Sequence, residues 1–325
     1  MTTAPTLQAR IRATTFEAAG VLGLELVPLP PARALPAFAA GAHIDRHLTT
    51  PDGPLVRSYS LLNDPGETHR YCIGVHRDPR SRGGSRHVHE VLRPGQVLTL
   101  SAPRNHFPLD ERAPFNVFIA GGIGITPLLG MIERSRALGI PWRLHYSART
   151  RPHAAFLDRL AAWDRQGGGQ VLLNFDCEPG GKMLDLRRLV AALPDGAHVY
   201  CCGPRPMLEA FEQATAGLPP GRVHREYFAA KGSPATGGGY SVALARSRRT
   251  LAVPEGKSLL DCLIEMQIEP PFSCREGVCG TCEVRVLDGT PDHRDLVLSD
   301  AERAANDRMM VCCSGARSPM LVLDL

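Results

Sequence analysis

The chain has 325 residues, 43% hydrophobic and 22% charged, with a formal net charge of +4, which is enough for two or three domains that each bury a core. The positive charge is dispersed over many arginines with few aromatics between them, which argues against a nucleic-acid surface, and no stretch approaches the roughly 20 apolar residues of a membrane span. The ten cysteines crowd toward the C-terminal third of a long chain, unlike a secreted disulfide framework; together with an N-terminus that has no cationic start and apolar run, this leads to the expectation of a soluble protein in a reducing, cytoplasmic setting.

Residues 1–110 carry short alternating apolar runs such as RSYSLL and HRYCIGVH, punctuated by PDGP, NDPG, SRGG and RPGQ. That grammar predicts antiparallel strands closing into a small barrel. Within it, Arg57-Ser58-Tyr59-Ser60 falls on a predicted strand, where an aromatic ring can cover a flat cofactor while arginine and hydroxyls face a phosphate or a ribityl chain. Ser81-Arg82-Gly83-Gly84-Ser85 offers glycine amides, a guanidinium and hydroxyls suited to phosphate. Read singly, these are also an ordinary strand and an ordinary surface turn. His87 and His89, two apart, are expected on one face of a strand and, without further ligands, are not read as a metal site.

From about residue 113 the pattern changes, and 111–230 reads as a doubly wound α/β domain: FNVFIA, WRLHYS, QVLLNFD and AHVYCC are strand-like, with helical stretches between them. Gly121, Gly122 and Gly124 follow the first strand, and Thr126 and Pro127 open the next helix, where free amides and close backbone approach suit a pyrophosphate. A second glycine turn, Cys202-Gly203-Pro204, ends the last of these strands. Both turns lie at the carboxyl ends of parallel strands and are expected to face one crevice. Asp176, with Cys177 and Glu178 after it, ends QVLLNFD; carboxylates there would accept ribose hydroxyls and disfavour a 2′-phosphate, favouring NADH, an argument that the nearby Arg149 and Lys182 weaken.

KGSPATGGG, residues 231–239, reads as a flexible linker. Beyond it, 240–325 begins with a likely hairpin, YSVALA with RTLAVPEG, and the amphipathic KSLLDCLIEM. Then come Cys274, Cys279 and Cys282, in the C-x4-C-x2-C spacing of a plant-type 2Fe-2S site, with a distant fourth ligand at Cys312 or Cys313. A zinc site would more usually pair its ligands as two C-x2-4-C motifs. Gly277 and Gly280 sit where so tight a loop needs positive φ or a missing side chain. Because a nicotinamide gives up two electrons as hydride and such a cluster takes one at a time, something must split the pair, and a flavin can do so. The remaining cysteines read as buried small hydrophobes, and no side chain is needed as a nucleophile or proton donor in hydride transfer.

Taken in order, these segments resemble the phthalate dioxygenase reductase family, which includes the reductase components of vanillate O-demethylases. The resemblance runs through GAHIDRHL (41–48), RSYSL (57–61), SRGGSRHVHE (81–90), PRNHFPL (103–109), GGIGITP (121–127), HYSART (145–150), CGP (202–204) and HREYF (224–228). It continues through the cluster loop, HRD (293–295), and MMVCCS leading to LVLDL. It implies an FMN-binding barrel, an NAD-binding domain and a β-grasp 2Fe-2S ferredoxin domain, in a monomer that passes electrons to a separate Rieske-type oxygenase or, as the alternative, a cytochrome P450. By position it implies that Arg57, Tyr59 and Ser60 hold the flavin ring and ribityl chain, that Gly83, Gly84 and Ser85 hold its phosphate, and that Phe228 packs near the ring. It also implies that Thr126 lies in the nicotinamide pocket, that Cys202 faces the nicotinamide, and that Cys312 is the fourth cluster ligand. Gly315 stands where many relatives carry arginine.

Overall fold

The computed structural model describes residues 6–50, 53–79, 83–230 and 232–325. Two compact units divide them, Thr6–Glu226 and Tyr227–Leu325.

The first unit opens with β1 (Thr6–Ala18), β2 (Val21–Pro28), β3 (His43–Thr50), β4 (Gly53–Ser60), β5 (Tyr71–His76), the short helix α1 (Gly84–Glu90) and β6 (Val97–Ser101). The strands form one antiparallel sheet in the order β4-β3-β6-β1-β2-β5. Its two edge strands meet where Leu61, just past β4, bridges Ile73 of β5, so the sheet curls into a barrel. Period-two alternation turns Ile11, Leu24, Leu26, Ile73, Val75, Leu98 and Leu100 into a common core, which Val88 of α1 and Leu92 plug. His87 and His89 therefore lie on a helix, not on a strand as their spacing suggested. Gly83, at φ 97°, turns the chain into that helix, and residues two apart on a helix diverge. The His89 ring instead meets the Val75 carbonyl at 2.9 Å.

The second sheet of this unit is built from β7 (Asn116–Gly121), α2 (Ile125–Ala137), β8 (Trp142–Ala148), α3 (Leu157–Gln166), β9 (Gly169–Phe175), α4 (Leu186–Ala191), β10 (His198–Cys202), α5 (Arg205–Thr215) and β11 (Val223–Glu226). Its strands are all parallel, in the order β11-β10-β7-β8-β9. Every residue of β7 is buried, as a central parallel strand covered on both faces demands. The chain winds outward from β7 in one direction through β8 and β9, then returns to place β10 on its other flank. That makes the β7–β10 boundary the topological switch point. Barrel residues Ala18, Val21 and Leu62 share one apolar cluster with Phe118, Leu128 and Tyr146 of the second sheet, and the Asp110 amide donates to the Tyr200 hydroxyl at 2.9 Å. The two sheets are thus packed as one body.

The C-terminal unit contains β12 (Tyr240–Leu244), β13 (Arg249–Val253), α6 (Leu259–Glu265), β14 (Glu283–Asp288), β15 (Pro291–Asp292), α7 (Asp300–Ala305), β16 (Arg308–Met310), β17 (Gly315–Ala316) and β18 (Met320–Leu323). The hairpin β12–β13 is joined by β18, parallel to β12, in a sheet ordered β13-β12-β18-β14-β16, which with α6 across its face is a β-grasp. Reciprocal capping boxes, Ser258 with Asp261 and Ser299 with Glu302, start α6 and α7. The glycine-rich stretch read as a linker is, over its described residues, tied to this unit. The Ala235 amide donates to the Cys313 carbonyl at 2.7 Å, and the Thr236 carbonyl accepts from Gly256 at 2.8 Å. Its small residues serve close packing: a Cβ on Gly315 would lie 2.8 Å from the Ala235 methyl, so arginine at 315 requires this segment to move.

Candidate functional site

In the C-terminal unit the loop between α6 and β14 carries three cysteines, and the strand pairing delivers the fourth. Because Glu283 pairs with Met310, Cys282 and Cys312 leave neighbouring strand ends side by side. Cys279, Cys282 and Cys312 are buried and Cys274 is half-buried. The thiols adjoin in two pairs, Cys274 with Cys279 and Cys282 with Cys312, with Cys274 also beside Cys312. The neighbouring Cys274 thiol draws the Cys279 thiol below its ordinary value, with Thr281 assisting against burial. Backbone amides converge on the same sulfurs: Glu276 N–H donates to Cys274 Sγ at 3.3 Å and Cys274 N–H lies 3.5 Å from Cys279 Sγ. The loop reaches this shape through positive φ at Arg275, Gly277 and Gly280. At Gly277 a Cβ would stand 2.5 Å from Cys313 Sγ, so both the missing side chain and the backbone angle are used. Cys313 contacts Cys312 but points its sulfur toward the Met310 carbonyl. Four thiols in two adjacent pairs, with amides aimed at sulfur, fit a cluster of two irons.

In the first unit both glycine turns meet at the switch point. A Cβ on Gly124 would lie 2.3 Å from the Cys202 carbonyl oxygen, and one on Gly121 would lie 2.5 Å from Pro204. A Cβ on Gly203 would fall 3.1 Å from the Gly121 Cα, and Gly122 adopts φ 53°. The two turns therefore meet backbone to backbone, with the Pro204 and Met207 side chains against Gly121, and form a cradle at the carboxyl ends of β7 and β10, where parallel sheets of this kind bind a pyrophosphate. Cys202 is buried, in parallel register with Glu226. Burial pushes the Glu226 carboxyl up to about 8 and the Cys202 thiol well above its ordinary range, and Glu226 Oε2 has no partner. Thr126 is buried, its hydroxyl donating to the Ile123 carbonyl at 3.0 Å and its methyl against Gly74 of the barrel. At the end of β9, Glu178 accepts the Arg151 amide at 2.6 Å and is held within the loop. Asp176 retains a buried Oδ1 without a partner.

On the barrel, β3 and β4 pair Ile44 with Tyr59, Asp45 with Ser58, Arg46 with Arg57, and His43 with Ser60. Directly opposed residues share a face, so Arg57 and Tyr59 stand together with Arg46, while Ser58 and Ser60 point to the other side. There Ser58 donates to Asp45 Oδ1 at 2.7 Å, and Arg104 holds the second carboxylate oxygen. The Asp45 carboxyl is lowered: burial pushes it up, but the Arg104 charge and the Ser58 and Arg104 hydrogen bonds outweigh that. The Ser58 hydroxyl is therefore committed to a buried structural network, apart from the Arg57–Tyr59 face. Gly84 presses on Arg57, a Cβ there falling 2.9 Å from the Arg57 Cγ. Ser85 accepts from the Asp78 amide at 3.2 Å. Arg82 lies outside the described residues. Phe228, 42% exposed, belongs to the C-terminal unit.

Sequence reading passed over Arg46 and Glu226. Arg46 is 3% exposed, and burial lowers its guanidinium to about 10. The signal for it was available in HIDRHL: strand alternation aligns Ile44, Arg46 and Leu48 on one inward face, where a charge among apolar residues is out of place.

An NAD-type parallel sheet and a four-thiol loop on one chain define an iron–sulfur oxidoreductase. The description "Oxidoreductase NAD-binding domain" matches residues 118–213, and "2Fe-2S iron-sulfur cluster binding domain" matches residues 242–317. Over 97% of its length the chain is 56% identical to phenoxybenzoate dioxygenase subunit beta of Ectopseudomonas oleovorans, covering 96% of that protein. It is 43% identical, over 97% of its length and 98% of the relative's, to vanillate O-demethylase oxidoreductase of a Pseudomonas species. Phthalate dioxygenase reductase, a solved modular structure for electron transfer from pyridine nucleotides to a 2Fe-2S centre, superposes with TM-score 0.71 at 37% identity, each chain 98% covered. An intact type IV self-sufficient cytochrome P450 monooxygenase gives TM-score 0.88 at 39% identity over 98% of this chain, which spans 41% of that longer one. The chain belongs to the phthalate dioxygenase reductase family. It is an oxidoreductase, the reductase component of an oxygenase system that draws electrons from NADH and delivers them through a 2Fe-2S centre. Among the described residues no helix is long and apolar enough to cross a membrane.

Proposed function

We propose that this reductase uses FMN between NADH and the cluster and serves a Rieske-type oxygenase or O-demethylase acting on an aromatic acid or ether. The observation that carries the FMN reading is the face shared by Arg57 and Tyr59, with Gly84 pressed against Arg57, in the same compact unit as the glycine cradle. When bound, the flavin accepts a hydride pair and releases electrons singly, and the two irons carry them one at a time.

In this reading Tyr59 covers the flavin ring, while Arg57 and the Gly83, Gly84 and Ser85 turn hold its phosphate, with Arg82 in the same segment. Ser58 fixes the strand through Asp45, and Ser60, on that same side of β4, stands apart from the ring. Gly121, Gly122, Gly124, Gly203 and Pro204 seat the NADH pyrophosphate, and Asp176 receives the adenosine ribose. Thr126 sets the inner wall, and Cys202 with Glu226 keeps the nicotinamide end dry. Cys274, Cys279, Cys282 and Cys312 would hold the two irons. Catalysis is placement: the side chains orient donor and acceptor and exclude water. The modules run 1–110 for FMN, 111–230 for NADH and 240–325 for the cluster, with 231–239 between them. The protein works as a monomer in the cytoplasm, its net positive charge steering an acidic partner.

A second reading, in which a cytochrome P450 is the acceptor, is favoured by the likeness to the self-sufficient P450. Acid release and chromatography of the flavin test the main proposal: FMN at one per chain is expected, and FAD at one per chain overturns it.

A further inference from the structure

Resting on the four-cysteine reading of the cluster site, we propose that the buried Asp295 carboxylate lowers the potential of the 2Fe-2S centre, its negative charge opposing the added electron and making the reduced centre a stronger donor. The His293-Arg294-Asp295 segment lies between β15 and α7 and clasps both stretches of chain that carry the ligands. The Leu296 amide donates to the Gly277 carbonyl at 2.8 Å, within the loop between Cys274 and Cys279. The Arg294 amide donates to the Ser314 hydroxyl at 3.2 Å, two residues beyond Cys312. Asp295 itself packs on Gly277: a Cβ built there would fall 3.0 Å from the Asp295 Cα, 3.3 Å from its Cβ and 2.5 Å from Cys313 Sγ. Asp295 and the sulfur next to Cys312 therefore abut the same glycine of the ligand loop, and the Asp295 charge is felt at that sulfur.

Asp295 is 2% exposed. Its Oδ1 accepts from the Val297 amide at 3.1 Å and the Leu298 amide at 2.8 Å, in the turn that leads into α7. Oδ2 is buried and has no hydrogen-bond partner among the described residues. Two basic side chains come near without closing on the carboxylate. Arg303 Nη2 stands 4.0 Å from Oδ1 while donating to the Asp295 carbonyl at 2.6 Å. His293 Nδ1 stands 3.8 Å from Oδ2, and neither of its ring nitrogens is hydrogen-bonded. The turn needs only one acceptor oxygen, which an asparagine would supply without a charge. A carboxylate there costs desolvation that the turn does not offset, and a buried group left half satisfied points to an electrostatic use. The potential of an iron–sulfur centre follows the net charge around it, the hydrogen bonds to its sulfurs and its exposure. With Cys279, Cys282 and Cys312 buried as well, water screens the Asp295 charge weakly.

The test is a redox titration of the purified full chain, with flavin and cluster in place, followed by the electron paramagnetic resonance signal of the reduced centre. Asp295→Asn keeps the Oδ1 acceptor and removes the charge. At the wild-type midpoint its ratio of reduced to oxidised centre is expected to rise about 3- to 10-fold, which is a midpoint about 30 to 60 mV higher for one electron. Arg303→Gln removes a positive charge from the same neighbourhood and keeps an N–H for the Asp295 carbonyl, so its ratio is expected to fall about two- to three-fold. A charge effect requires these opposite signs, whereas a loosened clasp moves both variants the same way. An unchanged midpoint in Asp295→Asn, or shifts of one sign in both variants, overturns the proposal and leaves Asp295 as a turn residue. If Asp295→Asn holds no iron, Arg303→Gln decides: its midpoint must fall. A wild-type chain with no 2Fe-2S signal, or a signal that survives Cys279→Ser, overturns the four-cysteine reading itself, a result distinct from a failure at Asp295.

Discussion

The cluster loop and the glycine cradle are tied to the rest of the molecule in different ways. Three of the four cluster sulfurs come from residues 274–282, and the amides aimed at them come from the same loop. The cradle is made by two turns about eighty residues apart, touching through Gly124, Cys202 and Gly203 at the centre of a buried sheet. One site is a local device set on a domain; the other is part of a domain's core. A change in the first should therefore remove a cofactor and spare the fold, and a change in the second should show up as stability.

The largest expected effect comes from Cys279→Ser. A hydroxyl does not replace the soft thiolate, so the 2Fe-2S signal in electron paramagnetic resonance should disappear and electron delivery to the oxygenase should be abolished. NADH–ferricyanide activity, which draws on the first unit, should survive. An intact signal with full oxygenase coupling would remove Cys279 from the ligand set.

Glu226 tests the other side of the comparison. Its carboxyl is raised by burial to about 8 from an ordinary 4.5, so the folded state holds a proton that the unfolded state has lost. The stability this group contributes is fully present below about 4.5 and declines as pH rises through about 8. Wild-type thermal midpoints should therefore fall between about pH 5 and about pH 9, and Glu226→Gln should flatten that slope and be the more stable protein at the alkaline end. Parallel curves for the two proteins would mean that Glu226 does not titrate within the fold.

The smallest effect concerns Asp176, at the carboxyl end of β9. Asp176→Ser should narrow the ratio of kcat/KM for NADH over NADPH by about two- to five-fold, the scale of a partly exposed charge contact. A constant ratio would assign discrimination elsewhere.

The same contrast decides what could be read without coordinates. The cluster loop was legible because its ligands are neighbours in sequence and two irons dictate their spacing. The alternation of strands and helices in 111–226 was legible where strands such as FNVFIA and HVYCC are near-continuous apolar runs, while the short polar β11 gave no such signal, and the expectation that both glycine turns share a crevice followed from the same pattern. The choice between Cys312 and Cys313 was beyond spacing; it depends on the β14–β16 register, which brings Cys312 to Cys282. Arg46 and the Asp45–Arg104–Ser58 network were hidden for a related reason: their meaning lies in cross-strand partners up to 59 residues away. His87 and His89 misled because a helix of seven residues is too short to print a period. The glycine-rich stretch after residue 231 looked free because composition reports conformational freedom and says nothing of a surface with room for it.

The place of β10 between β7 and β11 also sets a timetable for biosynthesis. The barrel's last strand is complete at Ser101, and β7, β8 and β9 can pair with one another as each follows the last off the ribosome. The cradle cannot exist until residues 198–203 arrive to lie beside 116–121. Until then one flank of the wholly buried, mostly apolar β7 is an open sheet edge, the kind of surface that delays folding and invites wrong partners. A ribosome stalled between β9 and β10 would display a barrel and three parallel strands with an adhesive seam and no nucleotide site, so the interval in which the nascent chain most needs a chaperone can be read directly from the strand order.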